Sequence, residues 1–277
     1  MFIWKMTYIE NVEAKRNAEE VLRNEEKKMT LNRVKIDDDS ATILLMSDEH
    51  LGANNYKQDL HERILEHAYD NNWHVLHLGD GIEAATRNSV GAGVYSQDEI
   101  IDRQIANWTA LYKPFVDKGA FIGAHPGNHE MRVMNDDGID IMRQMCRQIG
   151  AKYLGVGRTH LIRVGKQTYT MYTTHGSSGA TKPHTKIKGC LDLEKVVDAD
   201  IYAMGHLHQL SHHVRNYYAV NKTKKTVDKE SKHFILTGSY LDYPGSYAQV
   251  KCMEPARMGS PRLLLNGVEK QIQVVLQ

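Results

Sequence analysis

A long apolar run is the first thing this sequence lacks. No stretch approaches the ~20 apolar residues of a membrane-spanning helix, and the opening "MFIWKMTYIENVEAKR" is interrupted by Lys5 and Glu10 before it reaches signal-peptide length. The expectation is a cytoplasmic protein with no membrane partner. Cysteine is scarce as well: Cys146, Cys190 and Cys252 are odd in number and far apart, which argues against a disulfide framework and a thiolate zinc site. Charge of one sign is missing too, since 35 Lys and Arg offset 34 Asp and Glu for a net +1. No global field therefore marks a nucleic-acid binder, although a local basic patch remains open. Internal repeats and low-complexity segments are absent. What remains is a chain of 277 residues, 41% hydrophobic, long enough to bury one large core, with histidine in unusual supply at 15 residues.

Residues 1–40 read as an N-terminal helical arm. Within it "ENVEAKRNAEEVLRNEEKKM" is rich in helix formers of mixed charge, with no sustained heptad. Residues 41–277 read as one domain. It begins with a strand-helix-strand unit: "ATILLMSD" as a buried strand, a helix from Gln58 to Asn71, and "HVLHLGD" as the second strand. After a loose stretch at 84–96 comes an amphipathic helix carrying Ile101, Ile105, Trp108, Tyr112 and Phe115 on one face, a stripe that reads as core. A third strand, "AFIGA", is followed by a helix with Ile139, Ile141, Met142, Met145 and Ile149. From residue 152 onward the texture changes to short alternating runs, including "HLIRV", "QTYTMYTT", "DIYAMGH", "HHVRNYYAV", "KHFILTGSY" and "KQIQVVL". The lysine-rich 221–232 reads as an exposed hairpin or loop.

Polar clusters follow these strands. "HPGNHEMR" places Asn128 and His129 after a turn at Gly127; "SDEHLG" carries Asp48 and His50, and "LGDG" carries Asp80. "YTTHGSS" ends a strand with His175, and "AMGHLHQ" sets His206 and His208 two apart. Two residues apart on an extended chain point to the same side. Singly each cluster is weak. In an open α/β sheet, however, the carboxyl ends of parallel strands converge on one crevice, and two aspartates, an asparagine and several histidines brought together suit Mn²⁺, Fe or Zn²⁺.

Taken in order, Asp48-x-His50, Gly79-Asp80, Gly127-Asn128-His129-Glu130, His175-Gly176 and Gly205-His206-x-His208 resemble the motif blocks of the calcineurin-like metallophosphoesterase superfamily. The resemblance covers the chain from about Asp48 to His208. It implies an α/β fold with two mixed sheets flanked by helices, a four-layer α/β/β/α sandwich, and two divalent metal ions (Mn, Fe or Zn) as cofactors. By position in the motifs, Asp48, His50, Asp80 and His208 would hold one ion and Asp80, Asn128, His175 and His206 the other. His129 would be the catalytic histidine, protonating the leaving oxygen or steadying its charge, while a water activated between the two cations attacks phosphorus. His125 reads as structural and Glu130 as support for its loop. Glu130 stands where many phosphodiesterase and nuclease members carry Asp, and Asp80 is not followed by the aspartate and arginine typical of the protein phosphatases.

The leading reading is a phosphodiesterase, with a nuclease acting on DNA or RNA as one form of it. Nearby basic and aromatic residues support that choice: Lys182, His184, Lys186 and Lys188 as phosphate-binding candidates, and Tyr240, Tyr243 and Tyr247 as surfaces on which bases can stack. Lys182 and His184 are taken as substrate-binding residues. The expected partners are a phosphodiester substrate, nucleic acid or nucleotide, and a second copy of the chain in a homo-oligomer. Two competing readings are a phosphomonoesterase acting on a phosphoprotein or small metabolite, and a scaffold that keeps the fold without catalysis.

Overall fold

The computed structural model describes residues 31–89 and 97–276. Two mixed sheets form its centre. One has the strand order β11-β10-β2-β3-β4, in which β2 (Ser40–Met46), β3 (His74–His77) and β4 (Phe121–Ala124) run parallel, while β10 (Pro261–Asn266) is antiparallel to β2 and to β11 (Ile272–Leu276). The other has the order β1-β5-β6-β7-β9-β8. It is built from β1 (Leu31–Ile36), β5 (Gly157–Val164), β6 (Gln167–Thr174), β7 (Ile201–Met204), β8 (Ser211–Asn221) and β9 (Thr226–Leu236), with β6, β7 and β9 mutually parallel.

The continuous apolar run of β2 follows from burial on both of its faces. Ile43 and Leu45 point between the sheets, against Ile162, Met171, Ile201 and Ile235. Leu44 and Met46 point outward, into a cluster with residues of α1 (Gln58–Asp70), α2 (Ile101–Asp117), α3 (Asn128–Asp137) and α4 (Ile141–Ile149). On the far side Tyr202, Met204, Phe234 and Leu236 pack with Cys190 of α5 (Pro183–Leu191). The layers therefore run helix, sheet, sheet, helix, as the sequence implied. Each fully buried Leu, Ile or Phe contributes roughly 1.5–3 kcal/mol relative to exposure. Among the described residues no helix is long and apolar enough to cross a membrane.

Three readings change. Residues 1–30 of the expected arm lie outside the described residues, but 31–36 are a strand paired in parallel with β5. The alternation of buried Asn32 and Ile36 and half-buried Val34 with exposed Arg33 and Lys35 is a period-2 pattern that charged neighbours hide. The single helix expected after β4 is two, α3 and α4, divided by Gly138 at φ 73° and capped anew by the Asp140 carboxylate, which accepts from Arg143 N at 3.0 Å. β10, "PRLLLN", was not anticipated; it is a buried edge-to-centre link between β2 and β11. The lysine-rich 221–232 is, as the sequence suggests, part of a hairpin: the turn and rising strand between β8 and β9. Of the loose stretch at 84–96, residues 90–96 lie outside the described residues.

A one-way chain of hydrogen bonds ties the two sheets together beside the crevice. Lys152 Nζ donates to Asn32 Oδ1 (2.7 Å), Asn32 Nδ2 to His160 Nδ1 (3.0 Å), and His160 Nε2 to Thr173 Oγ1 (2.7 Å). The Thr173 hydroxyl then donates to His125 Nε2 (2.7 Å), whose Nδ1 donates to the Gly155 carbonyl (2.6 Å). Both imidazoles and Thr173 are fully buried, so every link is needed. Burial pushes His125 down to about 3. Thr173→Val leaves two facing ring nitrogens unpaired and is expected to cost about 2–4 kcal/mol in urea denaturation; an unchanged midpoint would contradict the chain. The unfolded protein takes up a proton at His125 below about 6.5, whereas the folded protein refuses it until about 3. Stability should therefore decline as pH falls through that window, by up to about 1.4 kcal/mol per pH unit from this residue.

Candidate metal centre

All the polar clusters read from the sequence meet at the carboxyl ends of β2, β3, β4, β6 and β7. The backbone there is not extended, contrary to the expectation for the two-apart pairs. Asp48, His50, Asp80, His206 and His208 have φ of 55°, 54°, 53°, 67° and 48°. Left-handed backbone costs a residue with a side chain roughly 1–2 kcal/mol, and its recurrence at one cluster marks a place where the surroundings over-determine the conformation. The turns after β2 and β3 are zipped together: Asp48 N donates to Gly79 O (3.0 Å), His50 N to Asp80 O (3.1 Å) and Leu51 N to Gly81 O (3.0 Å). Gly127 is required by space and not by conformation, because a Cβ there would lie 2.1 Å from Asp80 Oδ1.

The side chains sort into three overlapping sets whose ligand atoms lie within 4.8 Å of one another: Asp48, His50 and His208; His50, Asp80 and His129; and Asp80, His175 and His206. His208 Nε2 is 3.2 Å from Asp48 Oδ1 and 3.3 Å from His50 Nε2. His175 Nε2 is 3.2 Å from Asp80 Oδ2. Asn128 Oδ1 lies 3.0 Å from His175 Nε2 and 2.7 Å from His206 Nδ1. His129 Nε2 stands at the margin, 4.0 Å from Asp80 Oδ2, and its ring meets that of His50 edge to face at 4.3 Å. Asp48 and Asp80 are buried. Asp48 also accepts from Ser47 Oγ and from His206 N at 3.0 Å.

The donor set fits a divalent cation, for a reason visible in the tautomers. His175 Nδ1 faces the Leu78 carbonyl at 2.8 Å and must carry its proton there, so a neutral ring turns a lone pair toward the Asp80 carboxylate and the Asn128 oxygen. His50 Nδ1 likewise faces Glu83 Oε2 at 3.1 Å, which turns its Nε2 lone pair inward. Acceptors facing acceptors need a positive charge between them, and mixed O and N donors of this kind suit Mn, Fe or Zn. Without metal, protons are drawn in instead. Burial opposes charge on His175, but the Asp80 carboxylate outweighs it and pushes the ring up to about 10. His129 is pushed up to about 9 by Asp80 and Glu83 against the same burial. Asp48, which burial alone would raise, is brought down to about 2 by His208 and His175.

Supporting groups surround the cluster, and the sequence reading missed the most important. Glu83 binds His50 Nδ1 through its carboxylate and His129 Nδ1 through its carbonyl (2.8 Å), which fixes both rings. Its signal was available: a carboxylate three residues after Asp80. Glu130 accepts from Gly127 N (2.8 Å), Asp80 N (3.1 Å) and Ile82 N (3.2 Å), holding the two ligand turns together as support and not as ligand. Lys182 and His184 are exposed at the start of α5, and no hydrogen bond or ion pair joins either side chain to the cluster. The lysine that reaches the centre is Lys186, one turn on, which donates to the Leu207 carbonyl between His206 and His208 at 2.9 Å. Tyr240 is fully buried and bonded to Ser260 at 2.8 Å, so it is core and offers no face for a base.

No protein-family model matches the chain, and no curated protein does. Solved structures do show likeness. A conserved uncharacterised protein from Streptococcus pneumoniae, described as a predicted phosphoesterase, is similar at 15% identity and a TM-score of 0.38, covering 86% of this chain and 90% of its own. Vps29 from Entamoeba histolytica, complexed with Zn²⁺, is similar at 12% identity and a TM-score of 0.37, covering 84% of this chain and 97% of its own. At such distances the chemistry has to be read from the centre itself.

Chelator-stripped protein given Mn²⁺ at about 100 times its dissociation constant should gain about 2.7 kcal/mol of stability, visible as a rise in Tm. Asp80→Ala, which removes a residue shared by two of the sets, should lose that rise. An equal rise in the variant would contradict the assignment.

Proposed function

We propose that the protein is a metal-dependent hydrolase of phosphate esters, a phosphodiesterase of the calcineurin-like metallophosphoesterase superfamily, whose substrates include nucleic acid or nucleotides. The observation that carries this reading is the sharing of Asp80: its buried carboxylate belongs to two of the three sets, with His50 and His129 in one and with His175 and His206 in the other, each with its atoms within 4.8 Å of one another. Asp48, His50, Asp80 and His208 would hold one divalent ion, and Asp80, Asn128, His175 and His206 a second. Two such ions supply Lewis acidity toward phosphoryl oxygens and lower the pKa of a water for in-line attack.

The chain's own contribution follows from its geometry. His129 is fixed through Nδ1 on the Glu83 carbonyl, leaving Nε2 at the margin of the cluster to hand a proton to the departing oxygen. Glu83 keeps the His129 and His50 rings from rotating, so neither pays for ordering when substrate arrives. Among the described residues, two cations near this margin are already engaged. Arg132 already bonds Ser89 Oγ at 2.8 Å and lies 3.9 Å from Glu83, and Lys186 is held by Leu207 O. Among the described residues that engaged complement fits the single charge of a diester better than the double charge of a monoester.

Stripped protein reconstituted with Mn²⁺ should cleave an aryl phosphodiester faster than the matched monoester, and should also cleave labelled oligonucleotides. His129→Ala should lower kcat by about 10²- to 10⁴-fold while Mn²⁺ uptake is retained. Silence on every diester would sink the proposal, and preference for the monoester would replace it with the phosphomonoesterase reading.

A further inference from the structure

Between the two ligands Asp48 and His50 sits a third acid that the chemistry above does not use. Glu49 is fully buried, and its carboxylate turns away from the cluster into the packing between the β2–β3–β4 sheet and α2. Its Oε1 accepts from the Tyr112 hydroxyl of α2, and its Oε2 lies 3.1 Å from His77 Nε2 at the end of β3. His77 Nδ1 in turn accepts from Gly79 N at 3.1 Å, while its Nε2 is shared between the Glu49 carboxylate and the Trp108 indole nitrogen, which donates to it at 3.2 Å. Gly79 immediately precedes Asp80. The Trp108 ring closes edge-on over His77 at 5.4 Å, and a Cβ at Gly81 would come within 2.5 Å of the Trp108 indole nitrogen, so this space is filled to contact.

A buried carboxylate is costly wherever it sits, and a hydrophobic residue would fill the same space between β2 and α2. Here two of its partners, His77 and Tyr112, connect both ligand turns to one rigid helix, and a third, His61 Nε2, lies 3.8 Å from Oε1. Through His77 and Gly79, Glu49 links the turn bearing Asp48 and His50 to the turn bearing Asp80, and through Tyr112 it anchors both to α2. The turns it joins are the ones whose ligands stand at φ near 55°, a conformation that relaxes if nothing holds it.

We infer that Glu49 is a positioning residue for the metal centre: its carboxylate, bridging His77 and Tyr112, locks the Asp48 and His50 turn against the Asp80 turn so that their ligand atoms converge before any cation arrives. This rests on the metal-centre reading given above. It also assigns a role to the middle residue of Asp48-x-His50, which points away from the ions and contacts neither substrate nor metal.

The test is calorimetric titration of Mn²⁺ into stripped full-length protein, comparing wild type, Glu49→Gln and Tyr112→Phe, with the Tm of each metal-free protein measured alongside. Glu49→Gln keeps the shape and removes the charge, and Tyr112→Phe keeps the ring in the core and removes only the hydroxyl. Loss of an outer-shell partner typically weakens metal affinity about 10- to 100-fold, and that is the change expected for Glu49→Gln, with a smaller loss in the same direction for Tyr112→Phe. Mn²⁺ affinity within 2-fold of wild type in both variants, whatever their Tm, would overturn the inference and leave Glu49 a packing residue. Absence of Mn²⁺ uptake by the wild-type protein would overturn the metal-centre reading itself, so the two failures are distinguishable.

Discussion

Two buried carboxylates govern this molecule. Asp48 and Asp80 end adjacent parallel strands with almost no exposure, and an ionised carboxylate in such a place costs several kcal/mol unless it is paired. Backbone N–H groups meet part of that demand, since Asp48 accepts from His206 N and Asp80 from His129 N at 2.8 Å. Imidazole nitrogens from strand ends in both sheets supply the rest of the shell. Much else near the crevice can be derived from this need: the left-handed turns that aim ligands inward, the glycine where Asp80 presses against a neighbouring strand end, and the carbonyls that fix which ring nitrogen faces the cluster.

The sandwich makes such an arrangement possible because both sheets present carboxyl ends of parallel strands to the same crevice. β2, β3 and β4 deliver Asp48, His50, Asp80 and Asn128, while β6 and β7 deliver His175, His206 and His208. Apolar packing between the sheets fixes their separation, and the Lys152-to-Gly155 relay through His160, Thr173 and His125 adds a directional constraint that dispersion alone does not give. Rigid placement of this kind suits the hydrolase proposed above, because groups already in position supply much of a catalytic advantage.

Much of the fold was legible because its signals are local. The run "ATILLM" has the length and composition of a strand buried on both faces, and the 3.6-residue stripe of α2 shows in Ile101, Ile105, Trp108, Tyr112 and Phe115. β1 and β10 were not, since each makes sense only against a distant partner, β5 or β2. The candidate ligand residues were readable as short tags at strand ends, yet the reason they converge was not. Spacing by two implied an extended chain, whereas Asp48 and His50 converge through left-handed backbone. Glu83 escaped notice because its importance lies in the two rings it touches. Lys182 and His184 lie near His175 in sequence and are exposed at the start of α5, whereas Lys186, one turn on, bonds the Leu207 carbonyl, a contact that nearness in sequence does not reveal.

The most direct test of the central claim is anomalous diffraction from crystals of the protein soaked in Mn²⁺, collected at the manganese absorption edge. The account predicts two peaks about 4 Å apart, one on each side of the Asp80 carboxylate, with His129 outside both. A single peak away from Asp80, or no peak at saturating Mn²⁺, would contradict it.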